Sequence, residues 1–237
     1  MIYRSASSLV WNMAGNDLTP IMRGYLAEVY RLNDRSPETD GFVTTSELAE
    51  LLFVSAPAVN RMVTKLKDLG LVEHEPYQGI SLTEAGKREA LIKLRNHRIA
   101  EAFLVNVMDF GWHEVYEEAD RISGSIGKQL ADRMLEMANN PQFCPHGEPI
   151  PHEDNTIEAM NDQLLTQVEV GKSYRITRVL TREPDRLEYI AALGLKPGAT
   201  FELIHIAPFE GPMQLKLDHE YRIIGHSLAA LIRVCPE

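Results

Sequence analysis

Two cysteines, Cys144 and Cys235, are all the chain has, and so few, so widely spaced, make no disulfide framework. No apolar run is long enough to span a bilayer. The first residues, MIYRSASSLVWNMAGND, lack the apolar centre of a signal peptide. A cytoplasmic protein with no membrane partner is expected. Basic charge is also short: the formal net charge is −10, which excludes a broad basic coat that wraps nucleic acid without regard to sequence. A local basic strip survives that count. Lys65, Lys67, Lys87, Arg88, Lys93 and Arg95 fall close together, while acid collects over 114–120 and 148–158. Catalytic signatures are missing as well. There is no glycine-rich phosphate loop, no HExxH and no Ser-His-Asp order, so no enzyme is expected. A fusion of winged helix, catalytic sheet and small barrel, as in biotin ligases, would need a sheet where residues 84–140 read as helix.

What is present is organised around residues 44–86. Thr44 and Glu47 have the Thr-x-x-Glu spacing of a capping box, and Leu48 and Leu52 follow on one face. Phe53-Val54-Ser55 makes a tight turn. Ser55 is a suitable N-cap and Pro57 suits the first turn of the next helix, where a missing N–H costs little. Val59, Met62, Val63, Leu66 and Leu69 recur at helical spacing as a buried stripe, and Gly70 ends that helix. Residues 71–75 and 79–82 alternate as a hairpin around Pro76-Tyr77-Gln78, and Thr83 caps a further helix. This order predicts a winged helix-turn-helix. Its second helix lies in the major groove of DNA, which makes Ser55, Pro57, Ala58, Asn60 and Arg61 the expected base-edge residues. Arg61 suits guanine and Asn60 adenine. Thr64 lies on the same outward face, and Lys65 with the wing-tip residues Tyr77 and Gln78 suits phosphate. The competing reading is a helical hairpin that packs on another protein.

Ahead of this stretch, residues 1–17 are expected as an N-terminal arm. A helix opening at Asp17-Leu18-Thr19-Pro20 presents Ile21, Tyr25, Val29 and Leu32 on one face, and a polar loop with Pro37 follows. Behind it, Ile92, Ile99, Phe103 and Val107, widened by Leu104 and Met108, mark a helix that Gly111 breaks. One long helix over 113–139 is expected to turn Val115, Ala119, Ile122, Ile126, Leu130 and Met134 inward. These two helices have more apolar surface than a lone winged helix uses, which points to a homodimer, the match for a twofold operator. Residues 142–156, QFCPHGEPIPHEDNT, read as a proline-stiffened connector. Cys144, His146 and His152 fall short of the four ligands of a closed zinc site. From about residue 164 the period alternates. Residues 173–179, 200–206, 213–217 and 231–234 read as strands, with turns at 196–198 and 208–212, a short helix over 187–193 and a helical turn over 226–230. Such a run of short strands predicts a small SH3-like β-barrel. Its aromatics, Tyr174, Tyr189, Phe201, Phe209 and Tyr221, are too scattered to define a peptide groove. The expected fold is mainly α with a small β domain: winged helix 18–86, helical dimerisation domain 87–140, linker 141–163 and SH3-like domain 164–237.

The segments YLAEVYRL, SAPAVNRMVTKLKDLGLVEHE, SLTEAGK, NHRIAEAFL, EVYEEADR and CPHGEPIP follow one another in an order that resembles the diphtheria toxin repressor family of iron- and manganese-dependent regulators. LGLKPGATFELIHIAPFEGPMQLKL resembles the domain these regulators share with a small ferrous-iron transport protein, the FeoA-like domain. The resemblance implies a homodimeric repressor of double-stranded operator DNA, switched by Mn²⁺ or Fe²⁺ held in the helical domain. It implies ligands at His97 and Glu101, spaced so that both face one pocket, and at Asp120. Several family ligand positions are changed: Gly24 and Ala27 have no side-chain donor, Ser123 and Gly124 stand where a Glu-His pair usually completes the main site, and Tyr116 stands where one site uses histidine. A rebuilt site of His97, Glu101 and Asp120, completed by Glu117 or His113, is one expectation. The other is the same DNA-binding dimer with metal sensing lost or replaced.

Overall fold

The Thr44 capping box forms as its spacing requires. Glu47 N donates to Thr44 Oγ1 at 3.1 Å and Thr44 N donates to Glu47 Oε2 at 2.8 Å. The computed structural model describes residues 18–35, 41–75 and 77–237. The expected arm 1–17, the Asp17 helix start, Pro37 and Pro76 lie outside the described residues. The chain divides into two units, 1–95 with 153–156 and 96–152 with 157–237.

The first unit is the winged helix. It contains α1 (Pro20–Arg35), α2 (Thr45–Leu51), α3 (Ala56–Asp68), β1 (Val72–Glu75), β2 (Gly79–Leu82) and the opening turns of α4 (Glu84–Met108). Leu26, Val29, Leu48, Val59, Val63, Leu66, Leu71 and Ile80 make its core. The buried face of α1 is not quite the expected one. Met22, Tyr25, Leu26 and Val29 point inward while Ile21 is exposed, because the register is set by the 22/25/26/29 spacing. Ser55 holds the extended N-cap conformation of α3, yet its hydroxyl makes no cap bond. Gly70 takes φ +69°, the left-handed stop that only glycine adopts without strain. β1 and β2 pair antiparallel, and Val43 adds a bridge to Ile80. Thr83 Oγ1 accepts from Gly86 N at 3.1 Å, capping α4.

The second unit joins the rest of α4, the helices that follow it, most of the linker and a sheet. The single helix expected over 113–139 is two, α5 (Val115–Ser123) and α6 (Lys128–Met137). Gly124 ends the first and Gly127, extended at ψ 161°, starts the second, so the glycine pair divides the apolar pattern. Val115, Ala119 and Met134 are buried as expected, but Ile122 and Leu130 are exposed on this single chain. The C-terminal strands are β3 (Gln163–Leu164), β4 (Ser173–Val179), β5 (Thr200–Ile206), β6 (Met213–Leu217), β7 (Glu220–Ile224) and β8 (Ile232–Pro236), with α7 (Pro184–Ala192) and α8 (His226–Ala229) between them. They pair in the order β3-β8-β4-β5-β6-β7. The SH3-like architecture holds, but the sheet is open, since β3 and β7 end the order without pairing to each other among the described residues. β3 and β7 lie outside the expected strands; β3 is only two residues long and β7 alternates weakly. Tyr174 and Phe201 are core residues, whereas Tyr189, Phe209 and Tyr221 are exposed, so these aromatics share no single surface.

Candidate metal centre and nucleic-acid interface

Helix α3 keeps Val59, Val63 and Leu66 inward, and helical geometry turns the intervening positions to solvent. Ser55, Pro57, Asn60, Arg61, Thr64 and Lys65 are exposed and Ala58 is half-buried. Tyr77, at φ +68°, and Gln78 are exposed at the tip of the wing. Thr45 Oγ1 lies 3.5 Å from Asn60 Oδ1 as a donor. Paired recognition of adenine uses that oxygen as well as the Nδ2 donor, and its second lone pair is open to the base while Thr45 holds the side chain.

On α4, one turn of helix separates His97 from Glu101 and brings His97 Nε2 to 3.3 Å from Glu101 Oε1. His97 Nδ1 is 3.7 Å from Asp120 Oδ1 on α5. Three of the sequence-derived candidates therefore meet. Glu117 does not join them; it is exposed and pairs with Arg121 at 3.5 Å. The structure brings in two residues that the connector reading had set aside. The 142–150 loop closes on itself through Cys144 N to Glu148 O at 2.9 Å and Ile150 N to Gln142 O at 2.8 Å. Cys144 and His146 turn inward, and their ligand atoms lie within 4.8 Å of one another and of a Glu101 oxygen, all three residues buried. His152 stays exposed. The linker is thus more than a spacer. Its partner donor sits on a distant helix, where no local spacing announces it.

The His146 ring is fixed at both nitrogens. Nε2 is 2.8 Å from the Trp112 carbonyl; a carbonyl only accepts, so Nε2 carries the hydrogen. Nδ1 faces Glu101 Oε1 at 3.2 Å and is the ligand atom on offer. A carbonyl that locks the tautomer from outside is the usual support of a metal-bound histidine. Burial raises the Glu101 carboxyl, but the charges and hydrogen bonds of His97 and His146 outweigh it and hold the group well below the usual carboxylate range. Desolvation works against a charged His146, yet Glu101 and then the Trp112 carbonyl raise it. Burial, with the Glu101 charge behind it, pushes the Cys144 thiol well up. Carboxylate, thiol and imidazole, buried together with the tautomer set, fit a divalent first-row cation, and three protein ligands leave coordination positions for others.

The second family position does not fit. Gly124 is the end of α5, and Ser123 Oγ donates to the Asp120 carbonyl at 3.1 Å. The Tyr116 ring lies 4.7 Å from the His97 ring, with the Arg182 guanidinium 4.6 Å from the Tyr116 centroid.

Comparisons with known proteins agree with this layout. Residues 17–80 match the iron dependent repressor N-terminal DNA binding domain, residues 83–152 the iron dependent repressor metal binding and dimerisation domain, and residues 163–236 the FeoA domain. The chain is 28% identical over 232 residues to the iron-dependent repressor IdeR of Mycobacterium leprae, covering 92% of this chain and 98% of the relative. It is 34% identical over 110 residues to an HTH-type transcriptional regulator of Methanocaldococcus jannaschii, covering 46% of this chain and 86% of that protein. Among solved structures, a manganese-dependent transcriptional repressor in complex with manganese superposes with a TM-score of 0.84 at 28% identity, over 91% of this chain and all (100%) of that one. ScaR with bound Zn²⁺ superposes with a TM-score of 0.78 at 26% identity, over 91% and 99% of the two chains. The chain belongs to the diphtheria toxin repressor family of iron- and manganese-dependent regulators, with a FeoA-like domain at its C-terminus.

Proposed function

We propose that this protein is a metal-responsive homodimeric repressor that occupies a twofold operator through α3 and the wing, and that its metal is held by Glu101, Cys144 and His146. The observation that carries the reading is that buried triad of donor atoms within 4.8 Å, inside the segment matching a metal binding and dimerisation domain. Residues 18–86 read DNA, residues 87–140 dimerise and supply Glu101 to the metal, the 141–163 linker adds Cys144 and His146, and residues 164–237 form the FeoA-like domain. Exposed Ile122, Leu130 and Met137 on α5 and α6 supply apolar surface for a second copy. His97 and Asp120 flank the triad and Glu117 has no part in it. The role is regulatory, not enzymatic, and chromosomal DNA as its target places the protein in the cytoplasm.

When bound, the cation supplies positive charge that gathers three donors from two chain segments. The arrangement of the chain that presents all three donors would gain population on binding. The chain's own part is to present Nδ1 of His146, a thiol and a carboxylate in one dry pocket. A thiol donor favours Fe²⁺ or Zn²⁺ over Mn²⁺, which prefers oxygen ligands. The test uses chelator-stripped protein and a duplex selected by the protein from random sequence, with binding followed by anisotropy as Mn²⁺, Fe²⁺, Zn²⁺ and Co²⁺ are added. Affinity is expected to rise with metal and the rise to disappear in Glu101→Ala. Equal affinity with and without every metal would establish instead the metal-blind dimer that the losses at Gly24, Ala27, Ser123 and Gly124 favour.

A further inference from the structure

A bulge in β4 does something a regular strand cannot. The register with β8 slips between Ile176 and Arg178. Neighbouring residues of a regular strand point to opposite faces, yet here Thr177 Oγ1 and Arg178 Nε both donate to Asp162 Oδ2, each at 2.8 Å. Arg178 Nη2 reaches Asp162 Oδ1 at 2.9 Å. From β8, Arg233 Nε donates to Oδ1 at 2.7 Å and Arg233 Nη2 to the Asp162 carbonyl at 2.9 Å. The other side of Arg178 meets the ligand loop: Nη1 is 3.9 Å from Glu148 Oε2, and the same oxygen is 2.5 Å from Arg98 Nη2. Arg98 Nη1 donates to the Pro149 carbonyl at 2.6 Å. Backbone contacts complete the seat. A Cβ on Gly147 would lie 1.9 Å from the Thr177 carbonyl oxygen, and Val179 N donates to the His146 carbonyl at 3.0 Å.

We propose that the ion-pair chain Arg98–Glu148–Arg178–Asp162–Arg233 couples metal occupancy to the C-terminal sheet, with Glu148 as the positioning residue: a cation on Glu101, Cys144 and His146 and the seating of the sheet on the 144–149 loop stabilise each other. This rests on the metal reading above. Arg98 and Glu101 are three residues apart on α4 and so share a face. One grips the loop at Glu148 and Pro149, the other faces it at Cys144 and His146. The bulge holds the same loop from the other side, at Glu148, Gly147 and His146, and two sites that share one seated loop act reciprocally on each other. Ion pairs that only glued the sheet down would stabilise it to the same extent with and without metal.

The experiment uses the full chain with Co²⁺ as probe. Thiolate-to-cobalt absorption reads occupancy of the triad, and amide hydrogen exchange reads the sheet. In the wild-type chain, Co²⁺ is expected to slow exchange at Ile176, Val179, Ile232 and Val234 by roughly tenfold. Asp162→Asn, a change at a residue whose side chain bonds to Thr177, Arg178 and Arg233 among the described residues, is expected to weaken Co²⁺ binding about tenfold with the absorption band retained. Glu148→Gln is expected to weaken it by about 10- to 100-fold. A normal Co²⁺ band with unchanged exchange in β4 and β8 overturns the coupling and leaves the metal reading standing. A wild-type chain with no Co²⁺ band overturns both. If Asp162→Asn folds poorly, the wild-type exchange measurement decides.

Discussion

Every residue proposed to touch DNA lies between positions 55 and 78, and none of them is buried; the proposed metal ligands come from α4 and from the linker, and all three are buried. The two regions solve different problems. A groove of DNA is met by a surface, and one amphipathic helix makes a surface by itself once its apolar stripe is covered. A cation is met by an interior, and an interior with three kinds of donor needs chain segments that are remote in sequence. The reader can therefore be changed on its outer face with little cost to folding, while the centre is bound up with the packing of the unit that holds it.

The comparison predicts a graded series of effects. Leu66, fully buried in the reader core, should show the largest: Leu66→Ala lowers the stability of the winged helix by about 4 kcal/mol, measured by urea unfolding. The cobalt–thiolate band should persist in that variant, because the triad lies wholly in the other unit; loss of the band would merge the two regions into one. Gly147→Ala comes next, since φ is +87° and the added carbon meets the Thr177 carbonyl. It should destabilise the second unit by about 3 kcal/mol, read from the melting of near-ultraviolet dichroism. Arg61→Ala should weaken operator binding by about 2 kcal/mol and relax one base position, with unfolding unchanged. An Arg61→Ala, Asn60→Ala double variant that binds its operator as well as the wild type would show that the face is wrongly assigned. Thr44→Ala removes the side-chain half of the capping box, the hydroxyl that accepts from Glu47 N, and should cost about 1 kcal/mol.

Smallest at neutral pH is the effect of Asp162. Burial raises its carboxyl, but hydrogen bonds and charge from Arg178, then Arg233 and Thr177, hold it below its ordinary value. A lowered folded-state value contributes stability that is fully present above the ordinary value and is lost as pH falls through the folded one. The sheet should therefore be insensitive to pH near 7 and lose stability on acidification below roughly pH 4. Denaturation midpoints across that range check it, and a midpoint that stays flat in acid would contradict it.

Legibility in the sequence followed the same division. Thr44, Glu47, Pro57 and Gly70 act on neighbours within a few residues, so the reader could be drawn from spacing alone. The α5–α6 break was missed because Gly124 and Gly127 interrupt an apolar pattern that otherwise continues. The open sheet was missed because closure depends on the pairing of β3 and β7, strands too short or too weakly alternating to stand out. At the centre, His97 and Glu101 stand out through the resemblance to the family, which their spacing of one helical turn fits. Cys144 and His146 were visible only as an incomplete set, since nothing local to the linker says that Glu101 supplies the third donor.

Trp112 gives the centre a property of its own. Its carbonyl holds His146 Nε2, and its ring centroid lies 5.4 Å from the imidazole. Indole emission responds to charge and to open-shell ions at that range, so the light this residue gives out is a native gauge of what occupies the pocket. The chain has one other tryptophan, Trp11; with Trp11→Phe, a single indole would report loading of the centre in real time.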